Sequence, residues 1–564
     1  MQPSIDEPGL RPTGSWKLWA AAGLSAGLLE LPFPFAGPLP PWRSLFAWIA
    51  LAPLLAALAA AGRQPRPLRR GFQLGYLCGI LWYAGNCYWV RDTMMKYGDM
   101  PPLVPELLLL GFSMILGLYF GLFGFFVALI QKRTGSSLAA LAAAPVLWTA
   151  LELAAARITS VPWDQLGYSQ VDNALINPLA TITGVYGIGF LIVAANAFFA
   201  GALVVERVKA RFVFAAAGLA FLGTAAAGLC VAPPAPAPAS TAVLIQPNLD
   251  VSGVSLWSGP GEWESHMKGF ARLAAEPCGT GAPDGRSSSL GSKTYIAGIP
   301  ETGAPAGEIV CPPYATHPDL VVWPESPAPY FEDDARLQKS LAALAVSTQS
   351  PLVIGTIGMD FVPKDSIWRE YNSALIVGAD GRRVGRYDKI HLVPFGEYVP
   401  FQQFLFFAHK LTGKVSRFDR GTEHRTFRLN GHRYGVFICY EAVFADEVRE
   451  FAQLGAEALV NISDDGWYGD TSAPWQHLNM VRMRAIENRR WIVRATNNGV
   501  TASIDPYGRV RQSIPRHAED ALPAGYGFRS DTTFYTAHGD VFAWVCVLLS
   551  VGMAGLAARG LVRR

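Results

Sequence analysis

The chain has 564 residues, of which 51% carry hydrophobic side chains and only 16% are charged, and its mean hydropathy is +0.22. This is too apolar for an ordinary soluble protein and long enough for several domains, so composition points to a membrane protein carrying a globular domain. The 47 basic and 44 acidic residues leave a net charge of +3, which excludes the basic balance of a nucleic-acid binder.

Apolar blocks near 16–32, 44–61, 71–90, 105–130, 138–156, 177–204 and 212–231 each approach the roughly 20 residues that cross a hydrocarbon core as a helix. Pro/Gly-rich turns such as Gly37-Pro38-Leu39-Pro40-Pro41 separate them. A secretory signal is the competing reading of the first block, but six more spans follow it, which favours a retained helix. The second, fourth and sixth connections hold Arg63, Arg66, Arg69 and Arg70, then Lys132 and Arg133, then Arg207, Lys209 and Arg211. The alternate connections hold only Arg43, then Arg91 and Lys96, then Arg157. Cytoplasmic loops carry the positive excess, so the N-terminus, with Arg11 and Lys17, is expected inside, and the chain emerges outside after Val231.

Pro233-Pro234-Ala235-Pro236-Ala237-Pro238 reads as a stiff linker, 233–240, between a bundle over 1–232 and a domain over 241–536. A last apolar span at 541–555, within 537–564, precedes Arg559, Arg563 and Arg564 and returns the C-terminus to the cytoplasm.

In the domain, strand-like runs at 242–246, 320–323, 352–357, 373–377, 434–439, 458–462 and 501–504 alternate with helical patterns such as 333–347 and 474–490. That alternation predicts layered α/β packing around sheets. Asp380-Gly381 is placed as a hairpin turn. The Gly/Ser/Pro-rich stretch near 276–314 reads as a surface insertion. Its Cys278 and Cys311 would face an oxidising compartment, either as a disulfide or as two free thiols. None of the seven cysteines shows the CxxC or Cys/His spacing that zinc needs, which argues against a metal site.

Three stretches place a reactive group just past an apolar strand. Leu320-Val321-Val322-Trp323-Pro324-Glu325 delivers a carboxylate, Arg386-Tyr387-Asp388-Lys389 an ammonium with Glu397 eight residues on, and Tyr434-Gly435-Val436-Phe437-Ile438-Cys439-Tyr440-Glu441 a thiol. Taken alone, Cys439 is as readily a core cysteine, and a lone Glu or Lys on a loop is usually a solvated charge. Strand ends of an α/β domain converge on one edge, so the three groups can meet there.

These stretches, in this order, resemble the nitrilase superfamily, whose catalytic set is Glu, Lys and Cys. The resemblance sharpens to the apolipoprotein N-acyltransferases on His391-Leu392-Val393-Pro394-Phe395-Gly396-Glu397-Tyr398-Val399-Pro400, on Gln476-His477-Leu478-Asn479-Met480-Val481-Arg482-Met483-Arg484-Ala485 and on Ala495-Thr496-Asn497-Asn498-Gly499-Val500-Thr501-Ala502. It implies a multi-helix transmembrane bundle plus an extramembrane α/β nitrilase-like domain, an αββα sandwich, on the periplasmic side of a bacterial inner membrane. It further implies Cys439 as nucleophile, Glu325 as general base and Lys389 as oxyanion stabiliser, with Glu397, Glu441 and the Tyr440 backbone N–H in support. No cofactor is expected.

The implied reaction is ping-pong. Cys439 takes the sn-1 acyl chain of a phospholipid, typically phosphatidylethanolamine, as a thioester, and passes it to the α-amine of a diacylglyceryl-cysteine lipoprotein. The enzyme is expected to act as a monomer. Rival readings are a membrane-anchored amidase that passes its thioester to water, and a transporter with an inactive domain. Against the transporter, Glu152 and Glu206 lie near helix ends and no paired charges appear mid-span.

Substrate-lining residues are expected at Trp257 (with Trp263 close by), at Trp467, and at Phe404 and Phe406. The last two belong to an apolar stretch, 398–411, that is either an arm dipping into the bilayer or a helix packed in the domain core. Two departures from the family pattern stand out: the spacing from Gln246 to Trp257 is slightly long, and Asp464-Asp465-Gly466-Trp467-Tyr468 replaces Asn-Asp-Ala-Trp-Phe.

Overall fold

The structure, a computed structural model, describes residues 15–98, 100–101, 103–251, 261–275, 317–325, 330–363, 366–394, 396–398 and 418–562. Trp257, Phe404, Phe406, Cys278, Cys311, the insertion near 276–314 and most of the apolar stretch 398–411 lie outside these residues.

Each apolar block is helical. Among the described residues, five helices are long and apolar enough to cross a membrane: Pro41–Ala61, Val104–Thr134, Ser137–Ile158, Val185–Val204 and Val208–Gly228. The remaining blocks form Ser15–Glu30, Pro67–Asn86, which carries Arg69 and Arg70 in its first turn, and Val541–Val562 after the domain. The block near 177–204 is not one continuous helix. Gly184, at φ 63°, interrupts it between Ala180–Thr183 and Val185–Val204, and a Cβ there would lie 2.5 Å from the Tyr535 ring. The block near 71–90 stops at Asn86, and a separate helix, Trp89–Tyr97, follows.

Within the bundle, Pro67–Asn86 packs on Val104–Thr134 through facing glycines. A Cβ on Gly75 would sit 2.1 Å from the Phe120 carbonyl oxygen, and one on Gly71 2.5 Å from that of Gly124. Lipid supplies no hydrophobic drive between helices, so such close backbone approach, with its dispersion contacts, holds the pair.

Among the described residues, the domain is built on two six-stranded sheets. The first has the order β12 (Asp520–Tyr526), β1 (Ser240–Gln246), β2 (Leu320–Val322), β3 (Leu352–Val362), β4 (Ile367–Val377), β5 (Arg383–Asp388). The second has the order β11 (Val510–Ser513), β10 (Ala502–Ile504), β9 (Trp491–Thr496), β8 (Ala458–Ser463), β7 (His432–Ile438), β6 (Thr426–Leu429). Strand alternation divides the side chains between two layers. Along β1, Val243 and Ile245 pack with Phe270, Leu337 and Leu341 of the helices Glu262–Ala275 and Ala335–Thr348, whereas Ala242 and Leu244 join Val436 and Val460 between the sheets. Helices Ala445–Gln453 and Ala473–Asn488 cover the second sheet, completing an αββα sandwich. Strands buried on both faces read as near-continuous apolar runs, as in β2 and the second half of β7, while β8 carries one buried amide, Asn461, which donates to the Phe437 carbonyl at 3.2 Å and accepts from Arg494.

The sandwich rests on the bundle through the helix Ala473–Asn488 and the turns that follow β7 and β8. Tyr440, Val443, Phe444, Tyr468, Met480, Met483 and Ile486 share a hydrophobic cluster with the membrane helices. Arg484, fully buried, pairs with Glu487 at 2.9 Å and donates to the Tyr168 hydroxyl at 3.0 Å, while Glu487 accepts the Val185 N–H at 3.1 Å. Such a buried pair adds little net stability, but breaking it is expensive, so it fixes how the two parts dock.

Candidate active site

β2 and β3 run parallel, as do β7, β8 and β9, and the carboxyl ends of β2, β7 and β8 come together at the edge that faces the bundle. Glu325 follows β2, Lys389 follows β5 and Cys439 follows β7. All three are buried, Lys389 almost completely.

Lys389 Nζ donates to Glu325 Oε1 at 3.0 Å and to Glu397 Oε1 at 2.9 Å. Asn372, on β4, donates its Nδ2 to the same two oxygens at 2.7 and 2.6 Å. The other oxygen of Glu325 accepts the Asp464 N–H at 2.8 Å, and that of Glu397 accepts the Val393 N–H at 2.7 Å. Two carboxylates thus share one ammonium and one amide, and each is anchored by a backbone donor. Burial alone would raise the Glu325 carboxyl, but the Lys389 charge and the donors from Asn372, Lys389 and Asp464 hold it below its ordinary value. Lys389 would be lowered by burial, yet Glu325, Glu397 and Cys439 hold it well above its usual range. The Cys439 thiol is pushed well up, by burial first and then by Glu325, with Lys389 and a hydrogen bond to Ser463 pulling the other way. The cluster therefore contains a carboxylate poised to accept a proton beside a neutral thiol.

Cys439 opens a sharp strand-to-helix turn, Cys439–Val443, with φ at 49°. For a residue with a Cβ that left-handed conformation costs about 1–3 kcal/mol and persists only when neighbours over-determine it. Two clamps do so. Glu441 accepts the Ile438 N–H with Oε2 at 2.7 Å, and with Oε1 the Tyr387 hydroxyl at 2.8 Å and the Ile390 N–H at 2.7 Å, so one buried carboxyl ties the thiol strand to the lysine strand. Burial, with Glu447 nearby, raises that carboxyl to about 8. The second clamp is His477, fully buried, whose Nε2 lies 3.0 Å from the Cys439 carbonyl oxygen. A carbonyl only accepts, so Nε2 carries the proton. Nδ1 lies 3.0 Å from Asp465 Oδ1, and Asp465 in turn accepts Arg494 Nη2 at 2.6 Å. Burial opposes the Asp465 charge, but Arg494 and His477 hold it well below the usual carboxylate range.

Of the expected site residues, Glu325, Lys389, Glu397, Cys439 and Glu441 form this cluster. The Tyr440 side chain points away from it, its hydroxyl donating to the Ser160 carbonyl at 3.0 Å. Trp467 is 46% exposed and packs on Tyr97 at 5.1 Å, with its carbonyl accepting the Thr93 hydroxyl at the bundle interface. Asn372, His477, Asp465 and Arg494 were not singled out as site residues. The signal for Asn372 is an amide two residues ahead of the apolar run Ala374-Leu375-Ile376-Val377, and for His477 a ring near the start of a helix that also buries Gln476, Arg484 and Glu487. Next to His477, Gln476 donates to the Asn86 side chain at 3.0 Å and accepts from the Trp163 indole at 2.8 Å, which links that turn to the bundle. Among the described residues, no group of three His, Cys, Asp or Glu side chains is arranged to hold a metal.

Residues 25–198 match the apolipoprotein N-acyltransferase N-terminal domain, and residues 296–524 match the carbon-nitrogen hydrolase family. An apolipoprotein N-acyltransferase from Geobacter metallireducens is 34% identical over 95% of both chains. Those of Pseudomonas putida (30% identical; 90% of this chain, 92% of the relative) and Allorhizobium ampelinum (28% identical; 88% of each) are also similar. The match to the Geobacter metallireducens relative spans both the bundle and the sandwich, along nearly the full length, and the chain belongs to the apolipoprotein N-acyltransferase family.

Proposed function

We propose that the protein transfers the sn-1 acyl chain of a phospholipid, with phosphatidylethanolamine as the preferred donor, through a Cys439 thioester to the α-amine of an S-diacylglyceryl-cysteine lipoprotein. The observation that carries this reading is the single cluster of Glu325, Lys389 and Glu397 beside a buried Cys439, at the edge that meets the membrane bundle.

In the first half-reaction Glu325 accepts the thiol proton as sulfur attacks the ester carbon, so the thiolate exists only as the bond forms. A resting thiolate is disfavoured by burial and by Glu325 itself. Lys389 has three N–H donors, two of which meet carboxylates, and the third is available to the developing oxyanion. The Tyr440 N–H, at the start of a helical turn, is the second donor. Collapse of the intermediate breaks the carbon–oxygen bond, and the glycerol oxygen leaves as lysophospholipid with the proton from Glu325. In the second half-reaction the lipoprotein amine attacks the thioester, Glu325 takes the ammonium proton, the carbon–sulfur bond breaks and sulfur recovers the proton. Glu397 and Asn372 hold Glu325 and Lys389 in register through both halves.

On this reading the catalytic edge faces the periplasm, both termini lie in the cytoplasm, and the protein works as a monomer without a cofactor. Incubation with phospholipid carrying distinguishable sn-1 and sn-2 chains, plus a synthetic diacylated lipopeptide, tests it. A lipopeptide heavier by the sn-1 chain, with one lysophospholipid per turnover, is expected. Free fatty acid in place of acylated lipopeptide would instead identify a membrane-anchored hydrolase.

A further inference from the structure

The end of the bundle remote from the domain carries a groove of its own. Arg157, at the close of the span Ser137–Ile158, pairs with Asp446 and Asp540 beside the domain. At about 1.5 Å per residue the start of that span lies about 30 Å away, one hydrocarbon thickness. The helix Val541–Val562 runs back along it, with the Ser550 hydroxyl donating to the Val146 carbonyl at 3.4 Å. In its farther half Val551, Ala554 and Gly555 face Phe125 and Leu129 of Val104–Thr134 and Leu68 of Pro67–Asn86 across a groove of about 470 Å³. The lining is apolar throughout.

Beyond the groove the chemistry changes. One helical turn past Leu129 stands Arg133, whose Nε and Nη2 are buried with no hydrogen-bond partner among the described residues. A guanidinium keeps its charge whatever its surroundings, and burying it unpaired is expensive, so its position calls for an anion. Lys132, two turns past Phe125, and Arg69, next to Leu68, are exposed. A Cβ on Gly71 would lie 2.8 Å from that of Ala128, which sets the first turn of Pro67–Asn86 beside the last turns of Val104–Thr134. Leu68 is the second residue of its helix, and Arg66 before it makes no side-chain cap, so free N–H groups add to the positive potential. The segments that meet at this end, 61–72, 128–138 and 549–564, contain no Asp or Glu.

We infer that this groove binds one molecule of an anionic phospholipid, with an acyl chain along the apolar lining and the phosphate headgroup held by Arg133, flanked by Lys132 and Arg69. Basic pockets between membrane helices hold anionic headgroups in this way. A zwitterionic headgroup would bring an ammonium up to the same basic cluster, so binding favours a lipid of net negative charge. Seated there, the lipid joins the C-terminal helix to the pair Pro67–Asn86 and Val104–Thr134. On the topology proposed above the site lies in the inner leaflet, across the membrane from Cys439.

The test is native mass spectrometry of the full chain released from detergent micelles, with phosphatidylglycerol or phosphatidylethanolamine titrated in. All proteins carry Cys439→Ala, so no lipid is consumed and the outcome is independent of the proposed acyl transfer. The Cys439→Ala protein is expected to take up its first phosphatidylglycerol at about fivefold lower concentration than phosphatidylethanolamine. Arg133→Gln removes the charge, and Gly555→Phe fills the groove from a position with nothing within 4 Å of its Cβ. Each is expected to abolish the preference while the protein stays monodisperse. Lys209→Gln, an exposed base at the start of Val208–Gly228, which lines none of the groove, is expected to keep it. Equal uptake of the two lipids by the Cys439→Ala protein, a preference that survives in either groove variant, its loss in Lys209→Gln as well, or a mass of two chains in place of the lipid adduct would overturn the proposal.

Discussion

Replacing Asn372 with Ala removes a neutral group that bridges the two carboxylates. Its Nδ2 lies 2.7 Å from Glu325 and 2.6 Å from Glu397, and a hydrogen bond to a charged group contributes about 1.5–3 kcal/mol. Losing the bond to Glu325 removes one of the groups that hold its carboxyl below the ordinary value. A depressed carboxyl is ionised, and active as a base, down to the acid side of its usual range. With the donor gone, the acid limb of the pH–rate profile moves to higher pH, because Glu325 is protonated earlier as pH falls. Misplacement of the base adds to this, and a loss of about 1.5–3 kcal/mol of transition-state stabilisation slows acyl-enzyme formation about ten- to hundredfold. The assay is single-turnover release of lysophospholipid between pH 4 and 9, with lipopeptide omitted. An unshifted acid limb together with a rate within about twofold of the parent would refute the bridging role.

Three further outcomes are expected. His477→Ala releases the Cys439 carbonyl and lowers the acylation rate about tenfold, whereas His477→Gln, which keeps a donor, restores part of it; equal loss in both variants at unchanged melting temperature would contradict the clamp. Above pH 8, where the Glu441 carboxyl is ionised and both its oxygens accept, Glu441→Gln leaves one buried N–H facing a donor, so thermal unfolding in detergent at pH 9 shows a loss of about 1–3 kcal/mol; an unchanged Tm would remove this residue from the scaffold. Gly75→Leu drives a side chain into the Phe120 backbone and lowers the yield of monodisperse protein, while Gly111→Leu, with open space around its Cβ, does not; size-exclusion chromatography separates the two.

How much was legible in the chain depended on whether a signal was local. Apolar blocks of helical length and apolar runs of strand length each report their own burial, so the bundle, β2, β7 and β8 were readable one by one. Glu325, Lys389 and Cys439 were readable because each ends such a run and because the three flanks together resemble one family. Gly184 was not read as a break, since the flanking residues are as apolar as a continuous span and the reason for the interruption is Tyr535, about 350 residues away. Asn372 and His477 escaped for the same reason. An amide on a strand and a ring on a helix acquire meaning only from partners on other elements. Glu441 was noted as a supporting acid, but its task of joining two strands depends on Ile390 and Tyr387, which the local pattern does not connect to it.

The most direct test of the account follows the sulfur. Purified protein incubated with phospholipid bearing an alkyne-tagged sn-1 chain is predicted to carry label on the peptide containing Cys439, to lose it to hydroxylamine, and to transfer it to an added diacylated lipopeptide, while Cys439→Ala protein carries none. Label that persists in the Cys439→Ala protein, or lipopeptide acylated by that variant at the parent rate, would contradict the account.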